Sequence, residues 1–192
     1  MFRIPWWLPA LVIGAARILW PKQPLVAVVA YHAVCLLGMR GPFAWGRLGR
    51  AWIPLLVAFF LLPLILLVPP LAFFPHDLVA TLVSHWPGGL WAWAIYSFIF
   101  NVAIEEGFWR GTLVREKPWP VWGHGLAFGL HHFVAGLLQF GWVWALPSLL
   151  VPSLAGLFWA SSVRRSGGLG MALLTHLWAD AALILLVASQ LR

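Results

Sequence analysis

Three of the five acidic residues of this 192-residue chain, Glu105, Glu106 and Asp180, lie inside long apolar runs, and the histidines His124, His131, His132 and His176 lie in such runs as well. Water needs a base before it attacks a carbonyl carbon at neutral pH, and carboxylate and imidazole groups are suited to take its proton. Two carboxylates with two imidazoles are also a donor set that suits zinc. A charged side chain at the centre of a bilayer costs at least about 2.5 kcal/mol, so an acid retained there is a functional candidate by default.

The spacings sort these residues. In the segment AIEEGFWRG, Glu106 and Arg110 are i,i+4 partners with the acid on the N-terminal side, the favourable order for a helical ion pair. Glu105 lies about 100° further round an ideal helix, so the arginine serves Glu106 and leaves Glu105 available. Phe128 and His132 are four apart, as are His176 and Asp180, and each pair shares a helix face. His131 is a supporting candidate beside His132. His124 reads as structural or lipid-facing, and Cys35 as packing. Tyr31 and His32, in an earlier apolar run, have no evident partner.

The elements that must carry these groups are membrane helices. The chain is 62% hydrophobic and 9% charged, against about 25% charged in a soluble domain. Its apolar runs are long enough to cross about 30 Å of hydrocarbon, and no alternating segments suggest a β-barrel. The pattern predicts an all-α, polytopic transmembrane bundle of about seven spans, at 6–20, 24–39, 52–74, 89–113, 121–138, 142–162 and 169–190. These form a single membrane domain over 1–192, with the chemistry confined to a core at 89–190. Prolines 54, 63, 69 and 70 predict kinks in the third span. Gly107 and Gly111 thin the fourth helix, and Gly125, Gly129 and Gly136 the fifth, for close approach of neighbours. Tryptophans gather near run ends, as interfacial belts do. The N-terminal MFRIPWW lacks a small-residue cleavage site and reads as leading into a retained first span.

Charge supports the count. Seven spans put Arg3, Arg40, Arg47, Arg50, Arg115, Lys117, Arg164 and Arg165 on one side, against Lys22 and Arg192 on the other. The positive-inside rule makes the first side cytoplasmic, with the N-terminus inside. The +7 net charge therefore reads as topology, with no basic stripe for nucleic acid. By helical rise, Glu105, His132, His176 and Asp180 fall about 10–16 Å from the cytoplasmic ends of their spans, which places them in one layer.

The segments EEGFWR, FGLHH and HLWAD resemble the motifs of the CAAX prenyl protease and bacteriocin-processing (CPBP, or Abi) family of intramembrane proteases: Glu-Glu-x-x-x-Arg, Phe-x-x-x-His and His-x-x-x-Asn/Asp. They read here as Glu105, Glu106 and Arg110; Phe128 and His132; His176 and Asp180. The resemblance covers roughly residues 100–182 and takes nothing from the first three spans. It implies an intramembrane endopeptidase cleaving membrane-embedded or lipid-modified peptide or protein C-termini, at the plasma (inner) membrane of a prokaryote. It implies that Glu105 and His132 activate water while His176 and residue 180 stabilise the oxyanion or hold the water, with Glu106, Arg110, Phe128 and His131 in support. Asp180 stands where the family also uses asparagine, and an ionised aspartate accepts hydrogen bonds without donating them. A zinc ion held by Glu105, His132, His176 and Asp180 and a metal-free glutamate mechanism are both consistent with the motifs.

Other membrane proteases fit less well. The chain has no His-Glu-x-x-His, no Gly-x-Ser-x-Gly and no Gly-x-Gly-Asp. Two other functional classes remain as alternatives. Membrane histidines could ligate haem, and the polar cluster could be an ion or proton pathway. Neither explains Glu-Glu-x-x-x-Arg, and no repeated half of a transporter is visible.

Overall fold

A computed structural model of the chain describes residues 4–41, 43–46, 83–84 and 88–190. The expected third span at 52–74, with its four prolines, and Arg47, Arg50 and Asp77 lie outside the described residues. The described residues are helical, with no strand among them. Helices stand at all six of the other expected places: α1 (Leu8–Leu19), α2 (Pro24–Gly38), α3 (89–116), α4 (Val121–Phe140), α5 (Trp142–Ser166) and α6 (Gly170–Gln190). Proline near the start of α1 and at the start of α2 removes an N–H that no helical carbonyl would have accepted.

Two compact units divide the chain. The first comprises Met1–Gly46 with Ile104–Ala172, and the second Arg47–Ala103 with Leu173–Arg192. In the first unit, α4 and α5 are joined by Gly141 alone, at φ +79°, a backbone state that only glycine takes without strain. The two helices run antiparallel at very close range. A Cβ on Gly125 would lie 2.6 Å from the Ser153 carbonyl oxygen, and one on Gly129 would lie 2.5 Å from that of Leu149. These small residues perform the thinning expected of them, and backbone leaves no flexible side chain to yield. Gly129→Leu is therefore expected to cost about 1–3 kcal/mol or more by overpacking. The measurement is the melting temperature in detergent, and an unchanged value would refute so tight a contact.

The third helix departs from expectation. It continues to Glu116, and it is not regular: residues Tyr96–Asn101 and Glu106–Leu113 form π-helical turns, with i→i+5 bonding. Thr112 gives one reason for the second. Its hydroxyl donates to the Gly107 carbonyl at 3.2 Å and accepts the Arg40 N–H at 2.9 Å, so the widened turn is tied to the end of α2. Met39 packs on the bare Cα of Gly107. The chain then runs on exposed through residues 43–46, where the Ala44 and Trp45 carbonyls accept the N–H groups of Leu169 and Gly170.

The outer faces remain apolar. Leu37, Val143 and Leu154 are 77%, 79% and 61% exposed, a surface for which hydrocarbon is the fitting solvent. Helix α5, and α6 from Gly170 to Ser189, are each long and apolar enough to cross a bilayer. In the second unit, Val83 and Val187 pack with Leu90, Trp93 and Leu183.

Candidate active site

The buried charges of the first unit begin with Arg110. Its guanidinium donates to Glu106 Oε1 at 3.0 Å, and both side chains are essentially inaccessible. The π-turn thus keeps the partners together, as the i,i+4 spacing predicts. Phe128 and Trp159 cover the cation, with ring centroids 3.9 and 4.6 Å from its central carbon. Phe128 is therefore a wall for Arg110 as well as a motif residue, and the pairing of cation with ring faces offsets part of the cost of burial.

Glu105 is a second centre. Its carboxylate is buried, and Oε1 accepts the Tyr31 hydroxyl at 2.8 Å and lies 3.5 Å from His131 Nε2. The same hydroxyl is 3.0 Å from His131 Nε2 and accepts the Trp109 indole N–H at 3.0 Å. The His131 ring lies nearly parallel to those of Tyr31 and Trp109, with interplanar angles of 17° and 12°. His132 is half-buried, with Nδ1 3.1 Å from the Phe128 carbonyl oxygen and its ring centroid 4.0 Å from that of His131. The structure thus brings Glu105, His131 and His132 together, and it puts His131, which the i,i+4 spacing made subsidiary, against both Glu105 and Tyr31. Neighbouring residues on a helix point about 100° apart, so both rings cannot face Glu105 equally.

His124 is buried at the other end of α4. Its Nε2 lies 3.2 Å from an Arg164 guanidinium nitrogen, and its ring meets Trp119. Arg164 also donates to the Trp119 carbonyl. A structural role for His124 suits these contacts, and a lipid-facing one does not.

The remaining motif residues belong to the second unit. His176 Nε2 lies 3.7 Å from Asp180 Oδ1, and Asp180 Oδ2 accepts the side-chain amide of Asn101 at 3.2 Å. Asn101 escaped sequence analysis, although it is the chain's only asparagine and sits in an apolar run. Tyr31 had the same kind of signal, being one of two tyrosines and lying beside a histidine in an apolar helix. Trp109 had none, because fifteen tryptophans hide it.

Glu105, His131 and His132 each offer a ligand atom, all within 4.8 Å of one another. Two imidazoles and a carboxylate are a recognised zinc set, but atoms sharing a tetrahedral zinc stand only about 3.3 Å apart. The Glu105–His131 pair approaches that separation, and the Tyr31 hydroxyl bonds both of its atoms, at 2.8 and 3.0 Å.

A family model described as type II CAAX prenyl endopeptidase Rce1-like matches residues 86–182, half of the chain and every motif residue above. No curated protein and no solved structure matches the chain. The chain belongs to the Rce1-like family of type II CAAX prenyl endopeptidases. It is accordingly a peptidase, and an integral membrane protein. Family membership displaces the haem and ion-pathway alternatives.

Proposed function

We propose that the chain is an intramembrane endopeptidase that cleaves lipid-modified or membrane-embedded peptide C-termini with water activated by Glu105. The observation that carries this reading is a buried carboxylate beside two imidazoles, within the segment matched by the family. Glu105 takes a proton from water, the hydroxide adds to the peptide carbonyl, and that proton passes to the leaving amine as the C–N bond breaks. His132 is assigned to hold the water, by its place in Phe-x-x-x-His. By motif alone, His176 and Asp180 are assigned to the oxyanion, with His176 as donor, since Asp180 can orient it through the acceptor oxygens it has. A metal-free mechanism is favoured because the Tyr31 hydroxyl lies between two of the three candidate ligands.

The topology proposed with it has seven spans, the six described helices plus 52–74, in the plasma membrane of a prokaryote with the N-terminus inside. The positive charge of the loops supports that orientation.

The test is release of a labelled C-terminal peptide from prenylated and tail-anchored reporters by the purified protein in nanodiscs. Cleavage is expected to disappear in His132→Ala, to persist in His124→Ala, and to be unaffected by a zinc chelator. Folded wild-type protein that cuts neither reporter would end the proposal, and loss of cleavage on chelation would overturn its metal-free part.

A further inference from the structure

Tyr31 lies on α2, 74 positions before Glu105 and outside all three motif segments. Phenylalanine would serve packing alone, and a buried phenol hydroxyl requires partners. This one has three strong ones: Glu105 Oε1, Trp109 Nε1 and His131 Nε2. The Cys35 thiol, one turn along α2, adds a weak contact to the same group.

A phenol carries one proton and two lone pairs. An indole nitrogen can only donate, and an ionised carboxylate can only accept. The hydroxyl proton therefore belongs to Glu105, and one lone pair belongs to Trp109. The second lone pair is open to a proton on His131 Nε2, 3.0 Å away.

We propose that Tyr31 is a positioning residue for the protease: its hydroxyl anchors Glu105 Oε1 and selects the Nε2-protonated form of His131. The inference rests on the reading of Glu105 as the base. Proton transfer demands that the carboxylate stay within hydrogen-bond reach of the water, and an unanchored glutamate has several rotamers in which to lose it. The Tyr31 ring adds a second constraint, because it stacks on His131 at a centroid distance of 4.9 Å, with Trp109 at 5.2 Å.

Tyr31→Phe keeps the ring and the stack and removes only the hydroxyl. In the nanodisc assay, kcat is expected to fall about 10- to 100-fold, the usual cost of losing a supporting hydrogen bond to an active group. KM should stay within about twofold of wild type, because the substrate is bound as before. Elution volume and melting temperature should be close to those of wild type, which separates positioning from a packing defect. Wild-type kcat in Tyr31→Phe would overturn the inference, as would a fall confined to KM. The tautomer is read independently by ¹⁵N NMR on histidine-labelled wild-type protein, with the His131 signal assigned against His131→Gln. Nε2–H is expected, and Nδ1–H would overturn the inference even if Tyr31→Phe failed to fold. Glu105→Gln in the same assay tests the underlying reading: full activity there removes the base, a result distinct from any obtained with Tyr31→Phe.

Discussion

Glu105→Gln is expected to lower cleavage about 10²- to 10⁴-fold, the span over which a positioned general base contributes, and to leave the protein folded. Glutamine matches glutamate in volume, and its carbonyl oxygen can still accept the Tyr31 hydroxyl that now reaches Oε1. Anchoring and packing therefore persist while the ability to take a proton from water is gone. That isolates chemistry from stability, which Glu105→Ala would not do in a buried site, where truncation leaves both a cavity and an unsatisfied hydroxyl. The measurement is the initial rate of peptide release, with the melting temperature in detergent as control. A glutamine variant retaining a substantial share of wild-type rate would show that the buried carboxylate is structural.

The second large effect falls on stability. Arg110→Met is expected to destabilise the fold by about 3–5 kcal/mol, because it strands Glu106 as a buried charge without its cation. The carboxylate is wholly enclosed, so water cannot replace the guanidinium. Glu106→Leu with Arg110→Met should recover most of the loss, since a buried pair replaced by apolar groups of similar volume is often neutral or better. The double-mutant cycle on melting temperature measures the coupling directly. Equal melting temperatures for Arg110→Met and wild type would refute the account. Phe128 and Trp159 lose their cation in either variant, which sets a ceiling on the recovery.

These two expectations use neighbouring acids for opposite purposes. Glu106 accepts the Arg110 guanidinium four residues away, and Glu105 accepts the Tyr31 hydroxyl and lies beside His131. The division of labour proposed for these adjacent residues rests on their different partners.

Local chemistry made much of this visible without coordinates. Six helices stand where apolar length and turn residues put them, because those signals act within a few residues of one another. The Glu106–Arg110 pair was legible for the same reason, since four residues along a helix bring two side chains to one face. So was the role of Gly125 and Gly129, whose missing side chains permit contact with whichever helix comes next.

Tertiary structure decided what distance along the chain conceals. Nothing within ten residues of Tyr31 identifies Glu105 as its partner, and only the packing of α2 on the π-turn of α3 brings them together. The choice between His131 and His132 was hidden as well. Both share one stretch of α4, and how each ring lies to Glu105 depends on the rotation of that helix, set where its glycines press against α5. Sequence by itself determined which groups are too costly to bury idly. Folding determined their neighbours, because hydrogen bonds reach about 3 Å through space and take no account of position in the chain.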